Sequence, residues 1–193
     1  MNLTEMRARV REDLQDTDSN NYRWTDDEVD GAIRRAVDEY SMRCPIQMLD
    51  DIPTTPADNE LDISSLTDLL TIESIEFPIG YRQLWQYWAG RVFMQDNGNG
   101  DNARVRWLKK HTITAQGSTI PVHHDEIIIL GATGYLAMSA SAATVDRAFI
   151  AGRYGTTSYR DWARERLERF DKKLKEAAHA SRVITRQLQV QEE

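Results

Sequence analysis

The chain has 193 residues, of which 40% are hydrophobic, and this is enough for one globular domain or for a core that carries an insertion. No apolar run reaches the roughly 18 residues of a membrane span, and the N-terminus lacks the apolar core of a signal peptide, so we expect a protein that is made and acts in the cytoplasm. The formal net charge of −7 argues against a general nucleic-acid binder, because duplex affinity comes largely from Lys and Arg contacts to phosphates.

Two helices are predicted at the start of the chain. The first runs from Thr4, as its N-cap, to about Leu14, with apolar residues along one side. The second runs from Asp26 to about Met42, because Pro45 pushes the residue before it out of the helical region. We expect the two helices to form a hairpin.

The start of the second helix is the strongest local signal. Thr25 is a preferred N-cap, and Glu28 stands three residues later, where it closes a capping box. Trp24 and Val29 occupy the two positions of a hydrophobic staple. The acidic residues of the first turn suit the positive end of the helix dipole, so we interpret this cluster as structural and not as a metal or catalytic site.

Residues 46–120 are predicted to form an inserted β region, because short β-branched and aromatic segments alternate there with Pro, Gly, Asn and Asp. One short strand is predicted around 61–63. Another is predicted over 70–77, and its apolar alternation slips at 73–74, which indicates a bulge.

The clearest predicted hairpin joins 91–95 to 103–109 through the turn residues Asn97–Gly100. Alternation in the second arm predicts one covered face and one charged face. Three tryptophans are expected to cover the sheet: Trp85, Trp88 and Trp107. An exposed aromatic ladder that stacks single-stranded nucleic acid is the alternative, and the acidic charge of the chain disfavours it.

Helical patterns return after the β region. Residues 127–143 are apolar nearly all round and include Gly131 and Gly134, which predicts a central helix that its neighbours approach closely. A final helix is predicted to begin at a cap formed by Ser158 and Asp161 and to continue beyond residue 181.

The final helix carries a heptad pattern with one polar interruption: Leu167, Phe170, Leu174, Ala177, Ser181, Ile184 and Leu188. The pattern is longer than one small bundle can cover, so its distal half is predicted to dock on another chain; a frayed tail with chance periodicity is the alternative. Residues 152–186 hold ten basic and five acidic residues, whereas 1–151 hold 14 and 24. Complementary contact between chains and an ordinary solvated helix both fit this distribution.

No chemistry-bearing motif emerges from the sequence. Cys44, the single cysteine, precedes a proline at a helix end and is expected to be a buried apolar residue. His123 and His124 are adjacent and diverge, and His111 and His179 are isolated, so no zinc spacing is present. Phosphate-loop and serine-nucleophile motifs are also missing. We therefore expect no enzymatic activity, no cofactor and no metal.

The predicted fold class is α+β, mainly α. A helical bundle core is assigned to 1–45 and 121–180, and the small antiparallel β region is inserted at 46–120. The long C-terminal helix ends in 181–193, which is assigned to a tail or helix extension for docking.

Most of the chain resembles the head-to-tail connector (adaptor) proteins of tailed double-stranded DNA phages. The stretches that carry the resemblance are 18–41, with YRWTDDE at 22–28 and AIRRAVDEYS at 32–41, then 61–66 leading into 72–78, and the helix that begins near Pro121. These motifs are structural, and related tail-completion or neck proteins share them. The β insertion is longer than in the most compact members, and we expect it to bear on the next neck or tail protein.

The resemblance implies a virion protein of the neck that is made in the host cytoplasm. It would form a homo-oligomeric ring of about twelve subunits beneath the portal protein, with a channel that passes genomic DNA without sequence-specific binding. It also implies that about 172–193 dock on the portal. The docking residues we assign are Leu174, Ala177, Arg182, Ile184, Arg186 and Leu188.

The alternative function is a nucleic-acid-binding regulatory protein that uses a basic C-terminal helix. Its basic face would consist of Arg160, Arg164, Lys172, Lys173 and Arg182. Such a protein should bind duplex DNA at physiological ionic strength in a salt-dependent manner.

Overall fold

A computed structural model describes the backbone of residues 1–148 and 156–189, and the side chains of 1–141 and 160–180. Over the described residues the fold is α+β and mainly helical, with small antiparallel sheets beside the helices. The predicted fold class is therefore confirmed, including its long C-terminal helix.

The chain divides into two compact units. The helical unit comprises Met1–Cys44 and His111–Glu193, and the β unit comprises Pro45–Lys110. The second boundary lies earlier than the sequence predicts, because Ile113 and Ile120 are buried in the core of the helical unit.

In the described part of the helical unit there are four α-helices: α1 (Leu3–Asp13), α2 (Asp26–Arg43), α3 (Asp125–Ala148) and α4 (Thr156–Gln189). A short 3-10 helix, Val122–His124, precedes α3. α3 contacts each of the other three helices, which explains why its sequence is apolar nearly all round. The expected central helix is thus confirmed.

The start of α1 differs from the prediction, since its N-cap is Asn2 and not Thr4. The Asn2 side chain accepts a hydrogen bond from the Glu5 backbone at 2.9 Å, and the Glu5 carboxylate accepts one from the Asn2 backbone at 2.9 Å. This complete capping box starts the helix two residues early and lets Leu3 enter the core.

Two glycines of α3 allow the close helix contacts that the sequence predicts. A Cβ atom on Gly131 would lie 3.0 Å from Ala36 of α2 and from Phe170 of α4. A Cβ atom on Gly134 would lie 2.7 Å from the side chain of Leu167 in α4. Glycine at these positions therefore sets the distance between α3 and its neighbours.

The β unit contains six strands: β1 (Ile46–Pro53), β2 (Glu60–Leu61), β3 (Leu69–Glu76), β4 (Trp85–Trp88), β5 (Arg91–Met94) and β6 (Asn102–Lys109). They form two three-stranded antiparallel sheets, in the orders β1-β6-β3 and β2-β5-β4. β1 pairs with β6 along its full length. The pairing of β3 with β6 shifts register between Ile72 and Ser74, so the predicted bulge is confirmed.

The predicted hairpin between β5 and β6 is wrong, because these strands belong to different sheets. The turn residues between them form a crossover that packs on the loop after β1: Gly98 donates a backbone hydrogen bond to Asp58, and a Cβ on Gly98 would lie 2.4 Å from the Thr55 carbonyl oxygen. The real two-residue hairpin joins β4 to β5 through Ala89 and Gly90, both with positive φ, as a type I′ turn requires.

Both sheets contribute to one apolar core in the β unit. Its buried residues include Leu61 and Val92 of one sheet and Ile75, Val105 and Trp107 of the other. The alternation predicted for β6 is confirmed, since Ala103, Val105 and Trp107 are buried and their neighbours are not.

Candidate interaction surfaces

The start of α2 has the geometry that the sequence predicts. The Thr25 hydroxyl accepts a hydrogen bond from the Glu28 backbone at 3.2 Å, and the Glu28 carboxylate accepts one from the Thr25 backbone at 2.7 Å. Trp24 and Val29 are both buried in the core of the helical unit. The cap is therefore confirmed, and the two residues predicted to form the staple belong to the same core.

Arg11 holds this region in place, a role that no pattern in the sequence predicts. The guanidinium donates to Asp16 at 2.6 Å, to Asp26 at 2.7 Å and to the Trp24 carbonyl at 3.0 Å. It also stacks 3.7 Å from the centre of the Tyr22 ring. Because the side chains of Arg11 and Asp16 are each only 6% exposed, this ion pair is part of the core.

Two acidic residues near the start of α2, Asp26 and Asp30, accept hydrogen bonds from arginines of α1. Arg7 donates two hydrogen bonds to the Asp30 carboxylate, at 2.8 and 2.7 Å, and one to Asp26 at 2.8 Å. The hydrogen bond from Arg11 and the charge of Arg7 hold the pKa of Asp26 below its usual value. In the described part of the chain, no group of three or more His, Cys, Asp or Glu side chains is placed to hold a metal ion.

A small histidine cluster connects the end of α2 to the start of α3. The Tyr40 hydroxyl lies 2.6 Å from Nδ1 of His124, and Nε2 of His111 lies 3.0 Å from the Cys44 carbonyl oxygen. Burial lowers the pKa of both histidines and raises the pKa of the Cys44 thiol. These hydrogen-bond partners indicate that the two imidazoles have a structural role where the end of α2 meets the start of α3.

The docking residues assigned on α4 divide into two groups. Leu174 is buried in the core of the helical unit, and Ala177 packs against that core, so both already have partners within the chain. The backbone stays helical to Gln189, as the predicted extension requires. Four side chains lie outside the described ones: Arg182, Ile184, Arg186 and Leu188.

The predicted cap at Ser158 also lies outside the described side chains, and α4 starts before it.

The basic residues of α4 are exposed but mixed with acidic ones. Arg160, Arg164, Lys172 and Lys173 are exposed, and so are Asp161, Glu165, Glu168 and Glu176. At about 100° per residue, the four basic positions spread over roughly 220° of the helix circumference. They therefore form no single basic stripe along the helix.

A different surface stands out in the β unit, over residues 78–90, which we call the aromatic segment. Arg82 is its single formally charged residue. Five of its large apolar side chains are exposed: Ile79, Tyr81, Leu84, Tyr87 and Trp88. Leu84 is 75% exposed and Trp88 is 77% exposed.

The three tryptophans expected to cover the sheet behave differently from one another. Trp107 is buried, and Trp85 is partly buried against the same core. The expectation is wrong for Trp88, which pairs with Arg91 beside the β4–β5 turn, on the sheet face opposite the buried Val92. Because side chains alternate along a strand, Leu84, like Trp88, points away from the core.

β4 is also an edge strand of its sheet. The Gln95 backbone N–H donates to the Leu84 carbonyl oxygen at 2.9 Å. In an antiparallel pair the backbone hydrogen bonds alternate, so Leu84, Gln86 and Trp88 direct their backbone groups toward β5. The backbone groups of Trp85 and Tyr87 therefore point away from β5. This edge offers hydrogen bonds to another extended strand.

A cleft of about 470 Å³ adjoins the aromatic segment. Its lining includes the apolar side chains of Leu61, Ile63, Leu66, Leu69 and Tyr87. Arg91, at the same cleft, donates two hydrogen bonds to the Glu60 carboxylate, at 2.8 and 3.0 Å. Asp62 and Ser64 also line the cleft, so its lining is polar as well as apolar.

The sequence contains the signal that would have located the aromatic segment. In a chain with 28% charged residues, a run of 13 residues with one charge is expected either in the core or at an interface. The sequence pattern assigns its tryptophans to the core because it does not identify β4 as an edge strand.

Comparison with known proteins gives no match, either to a protein-family model or to a curated protein sequence. Among the described residues, no helix is long and apolar enough to span a membrane.

Proposed function

We propose that this chain is a structural head-to-tail connector (adaptor) of a tailed phage. It forms a ring of about twelve subunits beneath the portal, extends the DNA channel and joins the head to the next neck or tail protein. In this role it is a virion protein of the neck, and it carries no catalytic site or cofactor.

The observation that carries the proposal is the presence of two unlike surfaces in separate units. The aromatic segment of the β unit is almost uncharged, whereas α4 of the helical unit is long and rich in basic residues. An adaptor has to contact two different partners as well as its own copies, and a ring needs two different faces on each subunit. The resemblance to phage connectors assigns the end of α4 to the portal.

The charge of the chain also suits a DNA channel. Residues 1–151 hold 24 acidic and 14 basic residues. A channel wall with an acidic excess would not trap DNA phosphates during passage.

Truncation after Ala180 tests the docking assignment. We expect the truncated chain to lose binding to the portal protein of the same phage while it keeps its thermal midpoint and loses only the helical signal of 181–189, because the described α4 residues that are buried in the core, Phe170 and Leu174, come before that point. Binding is measured by surface plasmon resonance, and the fold by circular dichroism.

A full-length control carries Arg160→Ala and Arg164→Ala, which lie on α4 outside the docking segment and are exposed. It should bind the portal like the unmodified chain. Normal portal binding by the truncated chain would overturn the docking assignment, and an image of the assembled neck without a ring of this chain would overturn the function.

A further inference from the structure

We propose that β4 pairs antiparallel with β4 of a second copy of this chain, so that the free protein is a two-fold symmetric dimer. The chemistry is strand addition, in which backbone hydrogen bonds join two sheet edges into one continuous sheet. The inference goes beyond the proposed function, because it concerns the chain before it meets the portal.

The outer edge of β4 offers backbone groups at two positions. Among the described strands, β4 pairs with β5 alone. Trp85 and Tyr87 direct their backbone N–H and carbonyl groups away from β5, and they flank Gln86 on either side. When two copies of β4 run antiparallel with their Gln86 residues opposite each other, Trp85 of each copy faces Tyr87 of the other. Each of these two pairs can exchange two hydrogen bonds.

The side chains of the strand match one another in this same register. Residues 84–88 read Leu-Trp-Gln-Tyr-Trp. Antiparallel pairing centred on Gln86 places Leu84 opposite Trp88 of the other copy, and the two Gln86 amides meet at the axis. Leu84 and Trp88 are 75% and 77% exposed in the single chain, so the pairing covers two side chains that the fold leaves in water.

Other registers lose the match. The outward backbone groups face each other again only when the pairing shifts by two residues. A shift in one direction places Gln86 opposite Leu84 and Trp88 opposite Arg82, and a shift in the other places Gln86 opposite Trp88 and Leu84 opposite Gly90. The register centred on Gln86 is therefore the one in which apolar side chains meet apolar side chains.

β4 also differs from the other edge strands in its lack of charge. The other edges in the described part of the chain are β1, β2 and β3. Each carries at least one acidic residue, and these are Asp50 and Asp51 in β1, Glu60 in β2, and Glu73 and Glu76 in β3. Charged side chains disfavour pairing at an edge, because pairing removes them from water. β4 carries none, so two copies of it meet without repulsion between like charges within the strand.

The symmetry of this contact separates it from the proposed ring. Both chains use the same residues, so the contact joins two chains and does not continue to a third. It closes an uncharged edge that would otherwise be a template for pairing with other extended segments. A neck protein that binds the aromatic segment has to replace the second copy.

An added cysteine at the axis tests the contact. Opposite residues in a pair without backbone hydrogen bonds have Cα atoms about 4.5 Å apart, which a disulfide can span. We therefore expect Gln86→Cys to form a disulfide-linked dimer under mild oxidation, seen by non-reducing gel electrophoresis. Val122→Cys, at a position that is 79% exposed in the helical unit, should form several-fold less. The unmodified protein controls for the buried Cys44.

Two further cysteines test the register. Leu84→Cys and Trp88→Cys lie opposite each other in the proposed dimer, and neither lies opposite its own copy. A mixture of the two variants should give several-fold more disulfide-linked dimer than either variant alone at the same total concentration.

A proline tests the backbone hydrogen bonds. Tyr87→Pro removes the N–H that points away from β5 and leaves the hydrogen bonds to β5 in place, as proline does at a sheet edge. Tyr87→Ala is the matched control, because it loses the same side chain and keeps the N–H. In sedimentation equilibrium we expect Tyr87→Pro to associate roughly tenfold more weakly than Tyr87→Ala, since each dimer loses this bond twice. Circular dichroism checks that both variants keep their fold.

Four results would overturn the inference: a monomeric unmodified chain at every concentration, no more disulfide in Gln86→Cys than in Val122→Cys, no excess of dimer in the Leu84→Cys and Trp88→Cys mixture, or equal association of Tyr87→Pro and Tyr87→Ala. These measurements use no portal protein, so they leave the connector function standing. An assembled neck without a ring of this chain would instead reject the function and leave the dimer.

Discussion

Arg11 shows how far a single residue can depart from what its type suggests. An arginine near the end of a surface helix is ordinarily solvated, yet this one is surrounded by Asp16, Asp26 and the Trp24 carbonyl. The network fixes the loop that leads into α2. Periodicity could not reveal it, because the partners lie in an irregular loop whose path the sequence pattern does not specify.

Replacement of Arg11 should therefore destabilise the folded protein. Arg11→Ala leaves the nearly buried Asp16 carboxylate without its guanidinium partner, and we expect the free energy of unfolding to fall by about 3–5 kcal/mol. Urea unfolding at pH 7, followed by circular dichroism, measures this loss. Arg9→Ala is the matched control, because Arg9 is exposed and its pair with Glu12 should be worth less than about 1 kcal/mol. Equal losses in the two variants would contradict the core role of Arg11.

At the scale of elements, α3 offers a test of close packing. Gly134→Ala places a Cβ 2.7 Å from Leu167, and we expect overpacking to lower the free energy of unfolding by about 1–3 kcal/mol. Gly31→Ala in α2 meets nothing within 4 Å, so the better helix propensity of alanine should raise stability by up to about 1 kcal/mol. Thermal and urea unfolding compare the stability of the two variants. If both substitutions stabilised the protein, α3 would be able to move away from α4.

The helices were predictable and the strand pairing was not. Caps, staples and apolar faces are local signals, so the sequence predicts α2 and the central position of α3 correctly. Strand pairing depends on contacts between distant segments. The turn residues at 97–100 favour a hairpin locally, but packing against the loop after β1 makes them a crossover, and the positive φ of Ala89 gives no comparable signal.

The same distinction applies to the candidate sites. The cap residues Thr25 and Glu28 were predictable because their partners are three residues apart. The exposure of Leu84 and Trp88 depends on β4 lying at a sheet edge, which follows only from the order of strands. Low charge marks an apolar segment, but tertiary structure decides whether it becomes core or interface.

At the scale of the whole molecule, the distribution of charge distinguishes the connector function from the alternative of a nucleic-acid-binding regulator. A connector passes DNA without holding it, so we expect only weak binding of the isolated chain to duplex DNA at physiological salt, with no preference among sequences. The mixture of acidic and basic side chains on the solvent face of α4 supports this expectation, because duplex affinity requires a concentrated basic surface.

Fluorescence anisotropy with a labelled duplex, over a series of salt concentrations, measures the affinity of the isolated chain for DNA and so distinguishes the two functions. The connector role predicts a dissociation constant no tighter than about 10⁻⁶ M near 0.15 M salt, which is the tight end of non-specific binding. A regulator would instead bind its site with a dissociation constant of about 10⁻⁸ M or lower. Substitution of Arg160 and Arg164, which lie outside the docking segment, by Ala should then leave portal docking and ring formation intact. Loss of a tight duplex complex in that variant would favour the regulator and reject the connector.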